Sequence, residues 1–530
     1  MAKSKWLSKV NKRASFGNAT ILLIVVALAG QMLGFFRNRL ISTNFAQVNP
    51  GSTDAFFAAF QIPDFFFYTI SAGVLSVAFV PVLSDRLRQG NKKAMWDVTS
   101  SLLNMLAVIM LIVAVFVFVF AQPLLHYIVA PGLTPTQLKQ ATEIMRLAAL
   151  NPLLFTLSGI ITSVQQTFGR FFFFAVAPLF YNLAIIFSVY LFKNNLGIVG
   201  LGVGSMIGAF AQLFVASLGL WGLGFKYSPR IRAASSDFIQ VMRTLPARSI
   251  DQGVDSINSI VETNRAKALG DGPVTYYNFA TTLQNVPVML FGTAIATAAF
   301  PRLADRLSQN RPDLFHRDFF KVLHLMIWIA MPVVVVSYFA RGYLARLLFG
   351  DVAPEVSLIF GFLAAAIFFR IIYTIVSRYF YAQKDTKTPL FVSLIAIGLN
   401  IILAFNLASE HAYGIAGLAL AQSITAAVEV ILLFCIMFLR DRALLNKDFW
   451  SSIVRIVSVT GFSAVAAFIM VSIYPLELSD RGFLTLGLRI GAIAGVTFAV
   501  HISVSLLFGL QEARAVVNKA KSIILRPVRI

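Results

Sequence analysis

Gly30-Gln31-Met32-Leu33-Gly34-Phe35-Phe36-Arg37-Asn38-Arg39 opens a stretch that continues through Thr53-Asp54-Ala55-Phe56-Phe57 to Pro63-Asp64 and closes with Pro81-Val82-Leu83-Ser84-Asp85-Arg86-Leu87. Two apolar runs, near 17–43 and 54–83, surround these charges. An ionisable group at membrane depth is costly unless it faces a wet cavity or a partner, so the stretch predicts a polar pathway between helices. Arg37, the deeper of the two arginines, belongs to that cavity. Arg39 reads equally as a side chain that snorkels to the interface.

Composition sets the class. Of 530 residues 58% are hydrophobic and 13% charged, with a mean hydropathy of +0.79, whereas ordinary soluble chains carry roughly a quarter charged residues. The expectation is an all-α polytopic membrane protein. Apolar runs of about 20 residues or more read as spanning helices, and there are fourteen, near 17–43, 54–83, 95–121, 138–165, 172–193, 197–222, 237–268, 273–303, 315–340, 353–383, 387–409, 412–439, 450–474 and 482–509. An even number puts both termini on one side.

The formal charge of +21 is explained by where the charges fall. The side that holds both termini carries 29 lysines and arginines and the other side six, Lys139, Lys193, Lys267, Arg341, Arg346 and Arg481. The positive-inside rule makes the termini cytoplasmic. The basic surplus then meets anionic lipid heads, and no nucleic-acid partner is needed. Nine basic residues remain within the spans, and all are arginine: Arg37, Arg39, Arg146, Arg243, Arg248, Arg265, Arg370, Arg455 and Arg489. Guanidinium stays charged at depth and matches phosphate oxygens, so the set suits an anionic cargo. Arg455 and Arg489 read as interfacial.

The chain repeats itself. Pro81-Val-Leu-Ser-Asp85-Arg86-Leu87 returns as Pro301-Arg-Leu-Ala-Asp305-Arg306-Leu307, offset by 220, and Gly197-Ile-Val-Gly200-Leu201 returns as Gly414-Ile-Ala-Gly417-Leu418, offset by 217. Asn182 and Asn400 sit between them, offset by 218. Three matches in order predict a duplicated six-helix unit, with lobes at 1–222 and 223–443 and two appended helices plus a basic tail at 444–530. Six is even, so the repeat is parallel, and parallel two-bundle carriers hold substrate between the bundles.

The seventh span carries the clearest polar pattern. Arg248, Asp251, Asp255, Asn258, Glu262 and Arg265 follow at steps of 3, 4, 3, 4 and 3, which places them on one helix face. The face lines a hydrated interior or forms a self-paired network. Leu245-Pro246 permits a kink. Asp64 and Glu429 are lone acids, candidate ion or proton carriers that could equally pair with an arginine.

Other chemistry is absent from the pattern. There is no Gly-x-x-x-x-Gly-Lys-Ser/Thr loop for ATP. His126, His316, His324, His411 and His501 are scattered and Cys435 is single, so no metal site, disulfide or cofactor is expected.

Leu33-Gly34-Phe35-Phe36-Arg37, Asp54-Ala55-Phe56-Phe57, Pro63 and Ala78-Phe79-Val80-Pro81 resemble the opening signature of the MurJ/MviN family, the lipid II flippases of the MOP exporter superfamily. Tyr381-Ala-Gln-Lys384-Asp385-Thr-Lys387-Thr-Pro389 is similar to that family's motif between its tenth and eleventh helices, and Gly169-Arg170, Ala177-Pro178 and Asn182 to its fourth-to-fifth connection. The resemblance covers essentially the whole chain. It implies a flippase that moves the undecaprenyl-pyrophosphate-linked peptidoglycan precursor, lipid II, from the inner to the outer leaflet of the bacterial cytoplasmic membrane by alternating access. It also implies cell-wall synthases as partners and a tail groove made by the last two helices, which sequence alone equally allows as a partner or oligomer surface. Gln31, Phe67 and Thr282 stand where the family has arginines, Asn38 where it has an acid and Ala72 where it has a glutamate. Two other functions stay open: an exporter of drugs or of another polyprenyl-linked oligosaccharide, and a membrane-embedded polyprenyl-phosphate transferase, which would need clustered acids for Mg²⁺.

Overall fold

Glycine, proline and short polar clusters punctuate the apolar runs, and between these stops the chain is helical. The computed structural model describes residues 16–72, 79–409, 411–441, 447–477, 480 and 482–524; within them the side chains of 16–21, 24, 72, 244–252, 447–448 and 519–524 are left out. Among the described residues there is no strand. The helices are α1 (Phe16–Ile41), α2 (Pro50–Phe67), α3 (Val80–Arg88), α4 (Lys92–Leu124), α5 (Pro135–Ala148), α6 (Asn151–Thr167), α7 (Phe172–Phe192), α8 (Val199–Leu218), α9 (Ser236–Lys267), α10 (Pro273–Pro287), α11 (Ala294–Ser308), α12 (Pro312–Phe339), α13 (Arg341–Phe349), α14 (Ala353–Ala382), α15 (Lys387–Leu407), α16 (Ile415–Arg440), α17 (Lys447–Ile473), α18 (Phe483–Leu507) and α19 (Gln511–Ile524).

Among the described residues eleven segments are long and apolar enough to cross a membrane, so the protein is multi-pass. The other three expected spans coincide with α1, the α2–α3 region and α9. Side chains 17–21 and 24 of the first and residues 73–78 of the second fall outside the described residues, and α9 is interrupted by charge, so eleven is the number that length and composition support among the described residues. The expected span at 138–165 is two helices, α5 and α6, parted at Ala149–Leu150; Pro152, which lacks an N–H, sits in the first turn of α6, the position that proline tolerates. α9 continues through Pro246 without the break that the sequence permits.

The chain divides into two compact units that part between Thr275 and Tyr276, early in α10. In the first, α7 and α8 form a close antiparallel pair, α1 lies on α7, and α2 packs on α5 and α9. Phe79, Leu83, Met95, Trp96, Leu102 and Val164 make an apolar core around α3, α4 and α6. In the second, α14 lies against α12, α13 and α16. There α17 and α18 are docked by a buried polar link: Trp328 Nε1 donates to Ser505 Oγ at 2.8 Å, and His501 bridges the Trp328 carbonyl (3.1 Å) and Ser463 Oγ (2.9 Å). Such a link is favoured in lipid, where each of these groups would otherwise lack a partner.

Both glycine pairs of the repeat have a backbone reason. Gly197 and Gly414 hold φ +56° and +53° at the entrances to α8 and α16, a conformation open chiefly to glycine. Gly200 and Gly417 lie so close to Phe192 and to the Leu407 carbonyl that an added Cβ would stand 2.4 and 2.0 Å away.

Candidate functional site

Late in α1, the Arg37 guanidinium is held from two sides by amides. Nη1 donates to Asn182 Oδ1 on α7 at 3.0 Å, and Nε and Nη2 donate to Asn38 Oδ1 at 3.2 and 3.0 Å. Both acceptors are neutral, so the positive charge is oriented and left uncancelled by them. Tyr181 lies within electrostatic reach of both Arg37 and Asp64, and Asp64 also of Tyr68. Among the described residues Asp64 makes no hydrogen bond or ion pair. Arg39 is half-buried at the end of α1.

Asp54 is fully buried and entirely engaged. Its carboxylate accepts from Gly272 N (2.7 Å), Thr275 N (2.9 Å) and Thr275 Oγ1 (2.7 Å), with Lys267 Nζ at 3.6 Å. It thereby caps α10 from a neighbouring helix, where backbone N–H groups are otherwise unsatisfied. Lys267, with a side chain 1% exposed, also pairs with Asp271 and donates to the Gly270 carbonyl. Gln137 donates to Asp271 at 2.9 Å. The Lys267 bond and the Gln137 bond outweigh the opposing effect of burial and hold the Asp271 carboxyl below its ordinary range; the first of them is the largest influence. The sequence placed Lys267 among exposed outer-side charges and passed over Asp271, Gln137 and Thr275. The signal that was there is Gly270-Asp271-Gly272-Pro273, a helix start whose preceding residue, Gly272, has no side chain to cap it.

Along α9 the polar face is graded. Asp255 is exposed, Asn258 and Arg265 are half-buried and Glu262 is buried. Asn258 Nδ2 donates to Glu262 Oε1 at 3.0 Å, so at least part of the stripe is self-paired. The side chains of Arg248 and Asp251 lie outside the described residues. Nearby, Ser259 Oγ donates to Gln61 on α2 at 3.0 Å, and Gly253 is pressed against Thr69, where an added Cβ would meet Oγ1 at 3.0 Å.

In the second unit Arg370 on α14 has a buried Nε without a hydrogen bond among the described residues. Glu429 on α16 accepts from Ser393 Oγ at 2.7 Å, and Ser393 meets Tyr373 OH at 3.1 Å, so one polar chain links α14, α15 and α16. At the α14–α15 turn, Asp385 accepts from Lys387 N (3.1 Å), Thr388 N (3.0 Å), Thr388 Oγ1 (2.7 Å) and Arg440 Nη2 (2.7 Å). Burial works to raise this carboxyl, but the Thr388 and Arg440 bonds outweigh it and hold it at about 2. Lys384 takes φ +61° in the turn, Lys387 is exposed and Pro389 is buried in the first turn of α15. The structure therefore brings Arg37, Asn182 and Tyr181 together, and Asp54, Lys267 and Asp271 together, while the motif at 381–389 forms a turn locked to α16.

Helices that carry guanidinium and carboxylate groups within apolar spans define a multi-pass membrane protein built to hold charge at depth, the construction of a transporter. Residues 50–486 match the family model described as lipid II flippase MurJ, and the chain belongs to that family. Among curated relatives, a probable lipid II flippase MurJ of Buchnera aphidicola is 25% identical over 461 residues, covering 85% of this chain and 89% of its own. One from Rhizobium meliloti is 23% identical over 518 residues, covering 94% of both. The fold is shared with a solved lipid II flippase MurJ in an inward closed conformation (TM-score 0.75, 22% identity, 92% of this chain and 98% of that one). It is shared also with an inward-facing MATE multidrug transporter of the MOP superfamily (TM-score 0.66, 12% identity, 81% and 99%).

Proposed function

We infer that this chain is a lipid flippase, not an enzyme, and that it carries lipid II from the inner to the outer leaflet. The observation that carries the reading beyond family membership is Arg37, whose guanidinium is aimed by two neutral amides and so keeps its charge for an anion. A pyrophosphate with a polar sugar cannot cross hydrocarbon unaided, whereas a polyprenyl tail can stay in lipid. A cation at depth offers the head group a planar, bidentate partner. In the same reading the duplicated lobes at 1–222 and 223–443 alternate access, with both termini cytoplasmic and the protein in the bacterial inner membrane. The α9 face bearing Arg248, Asp251, Asp255, Asn258, Glu262 and Arg265, together with Arg39 and Arg370, lines the hydrated path. Asp64 or Glu429 serves an ion gradient, one source of drive in a chain without an ATP motif. Cell-wall synthases are the partners that make and consume the cargo.

In vesicles holding the purified protein, labelled lipid II becomes accessible to an external enzyme faster than in empty vesicles. Arg37→Ala removes the gain while the protein still inserts and accumulates. Unchanged transport by Arg37→Ala would discard the cationic-site reading. The replaced arginines at Gln31, Phe67 and Thr282 favour one competing outcome: another polyprenyl-linked glycan is flipped and lipid II is not.

A further inference from the structure

Between α4, α5 and α8 of the first unit lies an apolar crevice of about 600 Å³, lined by Leu111, Val115, Phe118, Leu147 and Met206 with Glu143 and Arg146 at its edge. That volume falls within the roughly 300–1,000 Å³ of small-molecule pockets. Its α4 wall continues into an exposed apolar surface, with Leu111 50% and Val115 57% exposed, as befits a helix facing lipid.

Among the described residues the two charges have no charged partner. Arg146 is exposed; its Nε donates to the Phe118 carbonyl at 3.2 Å and the group lies 5.5 Å from the Phe118 ring centre, which leaves both terminal nitrogens without a hydrogen bond among the described residues. Glu143, one helical turn away, makes no hydrogen bond or ion pair there, not even with Arg146. A carboxylate and a guanidinium left unpaired on a lipid-facing wall are costly, and polar lipid heads are the groups at hand. Both side chains lean toward the N-terminus of α5, and so toward the nearer membrane surface. The segment Pro135–Thr167 has 33 residues, about 50 Å at ~1.5 Å per residue, and so overhangs the ~30 Å hydrocarbon core by about 10 Å at each end. Arg146, about 16 Å from Pro135, then lies about 6 Å below the head groups, within reach of a long side chain.

We propose that this crevice is a binding site for a membrane phospholipid with a zwitterionic, amine-bearing head: the phosphate on the free Arg146 nitrogens, the ammonium on Glu143 and one acyl chain along the apolar wall. The pairing of one acid with one base selects the head group. An anionic glycerol head offers nothing cationic to Glu143, and a trimethylated choline has no N–H to donate. The site is separate from Arg37 and independent of the cargo.

Native mass spectrometry of the purified full chain, titrated in detergent with phosphatidylethanolamine, phosphatidylcholine or phosphatidylglycerol at equal concentration, tests the site. Phosphatidylethanolamine is retained about tenfold better than either of the others, the scale of one charge-assisted hydrogen bond. Glu143→Gln brings it down to the phosphatidylcholine level, Arg146→Gln weakens all three, and Val115→Trp, which fills the crevice, abolishes retention without lowering the melting temperature. Equal retention of phosphatidylglycerol by the wild type, or unchanged retention in Glu143→Gln and Arg146→Gln, overturns the proposal. So does displacement of phosphatidylethanolamine by stoichiometric undecaprenyl phosphate, which would assign the crevice to a cargo tail.

Discussion

Residues 85–91 and 305–311 form the same turn, alike in backbone and in the Asp-Arg-Leu that opens it but not in what the side chains meet. Gln89 N bonds Asp85 O and Gln309 N bonds Asp305 O, both at 3.0 Å; Asn91 N bonds Arg86 O and Arg311 N bonds Arg306 O, again both at 3.0 Å. The left-handed residue between them is Gly90 at φ +71° in one copy and Asn310 at φ +54° in the other. The arginines then part company. Arg86 grips both oxygens of Asp237, at 2.7 and 2.5 Å, at the start of α9, whereas Arg306 shares Asp318 of α12 with Arg302. The bonds that each segment makes with itself are the same in both places. The bonds that depend on a neighbouring helix differ.

Helix starts show the same contrast, and there the largest effect is expected. α2 begins at Pro50 and caps itself, Asn49 accepting from Ser52 N at 3.1 Å, while α10 begins at Pro273 and takes its cap from Asp54 on another helix. Asp54→Ala leaves Gly272 N, Thr275 N and Thr275 Oγ1 without their acceptor at a buried helix start, while Lys267 keeps Asp271, so it should cost about 3 kcal/mol, against about 1 kcal/mol for Asn49→Ala. Thermal unfolding in detergent compares the two, and equal losses would break the contrast. Next come the paired arginines. Arg86→Ala leaves Asp237 without its partner and should lower the melting temperature more than Arg306→Ala, which leaves Arg302 on Asp318; the reverse order would show that the second copy's network is the tighter one.

The α14–α15 turn sharpens the comparison through pH. Its counterpart at Gly169-Arg170 has the same backbone bonds, Arg170 N to Gln165 O and Asp385 N to Phe380 O, both 2.9–3.0 Å, but no carboxylate. Because Asp385 is held at about 2, below the unfolded carboxylate value of roughly 3.9, the stability it contributes is complete above about pH 4 and drains away as pH falls toward 2. The difference is worth about 2–3 kcal/mol. Asp385→Asn should therefore flatten the acid limb of a melting-temperature profile between pH 5 and 3; a limb identical to the wild type would mean that the turn is held by its backbone alone. The smallest effects belong to the left-handed positions. Gly90→Ala should cost about 1 kcal/mol, and Asn310→Gly or Lys384→Gly should stabilise by a few tenths to about 1 kcal/mol, read from shifts of the same melting curves.

Much of this protein is set by sequence alone. The length and apolarity of its runs dictate membrane helices, because a bilayer leaves the backbone no partner but itself. Gly197 and Gly414 announce their turns because few other residues take positive φ, and the motifs around Arg37 and Asp385 identified the family. The partners of the charges were decided by tertiary structure. The sequence could put Asp54 and Arg37 in one polar group, but only packing delivered Asp54 to the start of α10 and Arg37 to Asn182, 145 residues away. Lys267 looked like an exposed outer charge and is among the most buried side chains. A helix period says which residues share a face. It does not say which neighbour that face will meet, and for a charge at low dielectric the neighbour determines whether the residue holds the fold together or stands ready for a ligand.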